Sequence, residues 1–118
     1  MIRTYNKQDG ITVPREWYDL IRRAVTYALL NEKKNSVKYQ VTIIFFDEQN
    51  IRQLNRDYLA KDDVTDVMAF NYNPKQWEIY ICLSRAKEQA EIYRQPFAAE
   101  VVRLVMHGVL HCLGYEDK

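Results

Sequence analysis

The chain has 118 residues with 17 basic and 16 acidic side chains, a formal charge of +1, and 47% hydrophobic residues. That length suits one domain over residues 1–118 and leaves no room for a second core. The near balance of charge excludes a dispersed polybasic nucleic-acid binder, so any affinity for nucleic acid has to come from a shaped site or from other proteins. No run approaches the ~20 apolar residues of a membrane span. The first ten residues, MIRTYNKQDG, lack the apolar core of a signal peptide. The expectation is a cytoplasmic protein with no membrane contact.

A short strand-like start ends at a turn on Asp9 and Gly10. Pro14 suits a first helical turn, with Thr12 before it as a cap. Trp17, Leu20, Ile21, Ala24, Val25, Ala28 and Leu29 recur at three- and four-residue steps, predicting an amphipathic helix over residues 15–31. Residues 39–46, YQVTIIFF, are β-branched and aromatic throughout and predict a buried strand. Asp47 then caps a helix over residues 48–58, with Ile51 and Leu54 facing inward.

Two further strands, over residues 65–72 and 77–83, flank a turn at Asn73-Pro74 and form a hairpin. Ser84 is read as the cap of a helix over residues 85–94. The last helix, over residues 97–113, carries apolar side chains in nearly every direction, which belongs at the centre of a domain. Gly114 ends it. The expected fold is therefore α/β, of the α+β kind. One mixed sheet of about four strands is packed with helices, the last of them buried. Cys82 and Cys112 lie in strand and helix contexts and are expected to be reduced core thiols.

His107 and His111 are the only histidines, and both lie in that last helix. Four residues turn the helix by ~400°, so the rings share one face, with Cβ atoms ~6 Å apart. Both nitrogens then reach one metal ion at ~2.0–2.1 Å. The competing reading is a pair of hydrogen-bonded core histidines. A metal needs a third ligand, and the turn after Gly114 carries Glu116 and Asp117, of which Asp117 can return towards His111. Gly108 lowers helix propensity by about 1 kcal/mol and marks a close approach beside His107.

The segment HGVLHCLGYED, residues 107–117, resembles the H-G-x-L-H-L-x-G-Y-x-H signature of the YbeY family of metal-dependent endoribonucleases. Residues 54–70, LNRDYLAKDDVTDVMAF, are similar to that family's L-N-x-x-Y-R-x-K-D-x-P-T-D-V-L-S-F. Glu78-Ile-Tyr-Ile-Cys takes the place of its G-D-I-x-I strand. The resemblance implies a single-strand-specific endoribonuclease acting in ribosomal RNA maturation and ribosome quality control. Its partners would be ribosomal RNA and the ribosome or ribosomal proteins. It also implies one Zn²⁺ held by three side chains, here His107, His111 and Asp117, with Asp117 standing where the family has a third histidine. Leu59 stands where the family has an arginine expected to meet phosphate.

The implied chemistry is metal-assisted phosphodiester hydrolysis. Glu78 is the candidate catalytic residue, positioning water or a histidine ring, or else a solvent-facing strand residue. Lys61, Thr65, Asp66 and Arg56 are the candidate substrate contacts. Thr65 and Asp66 serve equally as turn stabilisers, and Lys61 as a solvated surface charge. A ribosome-associated binding module that keeps metal for structure is the alternative. A zincin-like protease is disfavoured, because Gly108 stands where its general-base glutamate follows the first histidine.

Overall fold

The computed structural model describes residues 1–115. Its elements run β1 (Ile2–Asn6), α1 (Glu16–Asn31), β2 (Gln40–Phe46), α2 (Glu48–Leu59), β3 (Val67–Asn73), β4 (Gln76–Cys82), α3 (Leu83–Tyr93) and α4 (Phe97–Cys112). The four strands make one mixed sheet in the order β1-β2-β4-β3. β1 pairs parallel to β2 and β2 parallel to β4, while β3 pairs antiparallel to β4 as the predicted hairpin. β3 is therefore an edge strand.

Strand alternation assigns the side chains to two faces. Val41, Ile43 and Phe45 of β2 and Trp77, Ile79 and Ile81 of β4 join one core with Ile21, Val25 and Leu29 of α1 and Val101, Leu104 and Val105 of α4. On the other face Met68 and Cys82 pack with Ile51 of α2, flanked by Phe46, Leu54, Phe70 and Tyr80. The core that seats α4 is much the larger.

Local signals account for most boundaries. The Asp47 carboxylate accepts a hydrogen bond from Asn50 N at 2.8 Å and starts α2, as expected. Two caps differ. Arg15 occupies the N-cap of α1 with no side-chain hydrogen bond, so Thr12 plays no part there. Ser84 lies inside α3, because fully buried Leu83 takes the helix straight out of β4; its hydroxyl donates to Glu48 instead. Cys82 and Cys112 are both free and buried, and burial pushes the Cys112 thiol up to about 11. Among the described residues no helix is long and apolar enough to cross a membrane.

α4 lies across the sheet between α1, α3 and the β3–β4 hairpin. Gly108 lets it come close: a Cβ there would stand 2.7 Å from Cγ2 of Ile79. The helix ends in a Schellman motif. Gly114, at φ +97°, donates to the carbonyl of His111, and Tyr115 N to that of Leu110, each at 3.0 Å. Asn71 Nδ2 donates to the Cys112 carbonyl at 2.9 Å, which ties this end to β3.

Candidate active site

A cleft of about 650 Å³ runs along the free edge of β3. His107, Gly108 and His111 of α4 form one wall. Val67, Met68, Ala69 and Phe70 supply the edge itself. Facing them are Asn55 and Leu59 from the end of α2, then Lys61, Asp63, Val64 and Thr65 from the connection into β3.

The two histidines share this wall because they are one turn apart on a helix whose opposite side is locked into the core. Their burial differs from expectation. His107 is half-buried and His111 is exposed, so neither is a core residue. The stripe of α4 that carries them faces the cleft rather than the sheet. Two imidazoles on adjacent turns fit a transition metal as two of its ligands. Among the described residues no group of three His, Cys, Asp or Glu is placed to hold an ion. The expected third ligand, Asp117, lies outside the described residues.

The opposing wall is organised by Asn55, which is 4% exposed. Its backbone carbonyl accepts from the N–H of Ala60 and from Lys61 N at 3.4 Å, and its side-chain Nδ2 donates to the Asp63 carbonyl at 3.2 Å. Ala60 turns the chain in the left-handed region at φ +54°, and Lys61 emerges into the cleft. Sequence reasoning missed Asn55. The signal was its place four residues after Ile51, on the face of α2 that had to be inward.

Of the predicted substrate contacts, Lys61 and Thr65 line the cleft. Arg56 and Asp66 do not. Arg56 pairs with Asp62 at 3.1 Å, and Arg52 pairs with the same oxygen at 3.0 Å. Asp66 fastens the start of β3: its carboxylate accepts from Gln89 Nε2 at 3.0 Å and its carbonyl from Cys82 N at 2.9 Å. That is the turn-stabilising alternative.

Glu78 is the larger correction. Its neighbour Ile79 meets α4, so alternation sends Glu78 to the opposite face of the sheet from the histidines. There one carboxylate oxygen accepts from both Tyr72, at 2.7 Å, and Tyr80, at 2.8 Å. The bond to Glu78 raises the Tyr72 hydroxyl to about 12. Burial, followed by the same carboxylate, pushes Tyr80 up as well. Both protons are held more tightly in the folded chain than in the unfolded one, where a tyrosine titrates near 10. The stabilisation is therefore whole below pH 10 and lost as pH rises towards 12. Denaturant midpoints measured between pH 9 and 12 should fall over that window, and Glu78→Gln should flatten the fall.

Comparisons with known proteins converge on one family. Residues 3–118 match the family described as Endoribonuclease YbeY. The chain is similar to the Endoribonuclease YbeY of Finegoldia magna, at 35% identity over 98% of this chain and 80% of that protein. It is also similar to that of Staphylococcus carnosus, at 37% identity over 88% of this chain and 75% of that protein. A solution structure of a Thermotoga maritima protein superposes with a TM-score of 0.67 at 26% identity, covering 100% of this chain and 75% of the other.

Proposed function

The chain belongs to the YbeY endoribonuclease family, and from that premise we propose that its cleft is where RNA is bound and hydrolysed. The observation that carries this reading is the meeting of His107, His111 and Lys61, from opposite walls, on one groove. The finer reading is a ribosomal RNA maturation enzyme serving ribosome quality control, with the ribosome or its proteins as partners. One Zn²⁺ would be held by His107, His111 and Asp117; two nitrogens and a carboxylate suit zinc best. Such an ion supplies Lewis-acid activation of water and of the phosphodiester.

The chain's own residues supply the rest. The wall of α4 is rigid because Leu104, Val105 and Val109 are fully buried beneath it, so the histidines are held at fixed spacing. Lys61 brings a positive charge to the opposite wall, where a phosphate passing through the groove would lie. Thr65 offers a hydroxyl to the same strand. Val67, Ala69 and Gly108 keep the floor apolar and narrow, which strengthens every electrostatic contact above it.

Leu59 lines this groove with an aliphatic side chain that is 53% exposed. Replacing it with arginine adds a bidentate phosphate donor to the wall that carries Lys61. Leu59→Arg should tighten single-stranded RNA binding roughly tenfold at low salt and steepen the salt dependence by about one charge. Lys61→Ala should do the reverse. Fluorescence anisotropy across a salt series, with cleavage of a labelled ribosomal RNA fragment on the same samples, measures both. If neither substitution moves affinity or cleavage, RNA does not use this groove.

A further inference from the structure

We propose that Tyr58, Phe70 and Tyr72 form a stacking platform for unpaired bases of an RNA strand whose backbone runs through the cleft. The assignment rests on the reading of that cleft as the RNA site, and says which part of the strand meets which surface.

The three rings come from two elements: Tyr58 from the last turn of α2, Phe70 and Tyr72 from alternate positions of β3. They form one continuous patch. The Tyr58 and Phe70 centroids lie 5.4 Å apart, edge to face. Those of Phe70 and Tyr72 lie 6.3 Å apart, with planes 14° from parallel. Phe70 also lines the cleft, as does Leu59, the residue after Tyr58. The patch therefore opens directly off the groove.

These rings are both exposed and held in place. Tyr58 is 63% and Tyr72 53% exposed, so both are open to solvent. Tyr72 is nevertheless fixed at two points, its ring against Phe70 and its hydroxyl on Glu78 at 2.7 Å. Phe70 is propped by Tyr80, edge to face at 5.8 Å, whose own hydroxyl donates to the same carboxylate oxygen at 2.8 Å. Rings ordered before a ligand arrives lose little conformational freedom when it binds.

Two features select a base as the occupant. An aromatic face attracts the π-face that every base carries, whatever the sequence. The Glu78 carboxylate beside Tyr72 repels phosphate, whereas Lys61 on the cleft wall attracts it. A strand then lies with its phosphates towards Lys61 and its bases turned over the rings. In a duplex those base faces are covered by their neighbours, so the platform serves unpaired bases. A partner protein seated on Phe70 would cover part of the cleft wall, so continuity with the groove favours the substrate.

The test measures binding, by fluorescence anisotropy, of a short single-stranded oligoribonucleotide and of the same strand with abasic ribose at its interior positions. The wild type should bind the abasic strand roughly tenfold more weakly, the loss that follows removal of a stacked base. With Tyr58→Leu and Tyr72→Leu combined, that ratio should fall to within about twofold, whatever the absolute affinities. Tyr58→Phe, which keeps the ring and drops only the hydroxyl, should keep the wild-type ratio. A double variant that weakens both strands by the same factor would reveal a structural role only, and would overturn the platform. Equal binding of both strands by the wild type would overturn it without any variant, which covers the case of a misfolded substitution and leaves the patch to a protein partner. A wild type that binds neither strand would instead remove the RNA-binding reading of the cleft, and this assignment with it.

Discussion

Replacing His107 and His111 together with alanine should take the protein from stoichiometric metal to none, and should lower RNA cleavage by two orders of magnitude or more. The two rings are the only imidazoles in the chain. They sit on one wall of the cleft, so no neighbouring histidine takes their place. Loss of an outer-shell partner alone costs 10–100-fold at metal sites, and loss of two direct ligands costs more. The fold should survive. His107 is half-buried and His111 exposed, alanine is the best helix former, and the core face of α4 is untouched. Metal content by mass spectrometry, circular dichroism and cleavage, all on untagged protein, separate the outcomes. Metal retained by the wild type without cleavage would point to a binding module and to Leu59 as the lesion. Wild-type protein with no metal would sink the site.

The second large effect concerns the seat of α4. Ile79 is fully buried, and truncating it to alanine should cost about 2–5 kcal/mol, a large share of the 5–15 kcal/mol that holds a domain of this kind together. Gly108→Ala should also destabilise the protein, although alanine gains about 1 kcal/mol of helix propensity. Its Cβ would meet Cγ2 of Ile79 at 2.7 Å, and a fully buried β-branched side chain has few rotamers by which to yield. Overpacking of this sort costs about 1–3 kcal/mol. Combined with Ile79→Ala, the new methyl fills part of the vacated space. The double variant should therefore be more stable than the sum of the singles predicts, by about 1 kcal/mol or more. Urea denaturation of the four proteins measures this. Strict additivity would mean that Gly108 is there for some reason other than its contact with Ile79.

Strain and tight packing meet at the cleft from both sides. Gly108 brings α4 onto β4, and Ala60 turns the chain in the left-handed region, at a cost of about 1 kcal/mol for a residue with a Cβ. Such features persist where the surroundings over-determine them, as the hydrogen bonds around Asn55 do here.

What the sequence determined by itself was everything that depends on spacing along the chain. The 3.6-residue period produced α1 and α4 to within a residue or two, and Asp47 announced the start of α2. Asn73-Pro74 placed the hairpin, and the four-residue step put His107 and His111 on one wall. Gly108 was legible as a close approach, though not as a contact with Ile79. These are consequences of local geometry, which neighbours along the chain dictate. The tertiary structure decided which face of each element meets the site. Alternation along β4 predicts two faces but not which of them receives α4, and that choice carried Glu78 away from the histidines and into a bond with two tyrosines. Arg56 was spent on Asp62, and Asp66 on Gln89, by partners 6 and 23 residues away. Asn55 became the pivot of the second wall only because β3 is an edge strand, leaving a groove for the end of α2 to border. Which strand lies at an edge follows from long-range pairing, and that depends on how two faces of one sheet share the burial of α1, α2 and α4.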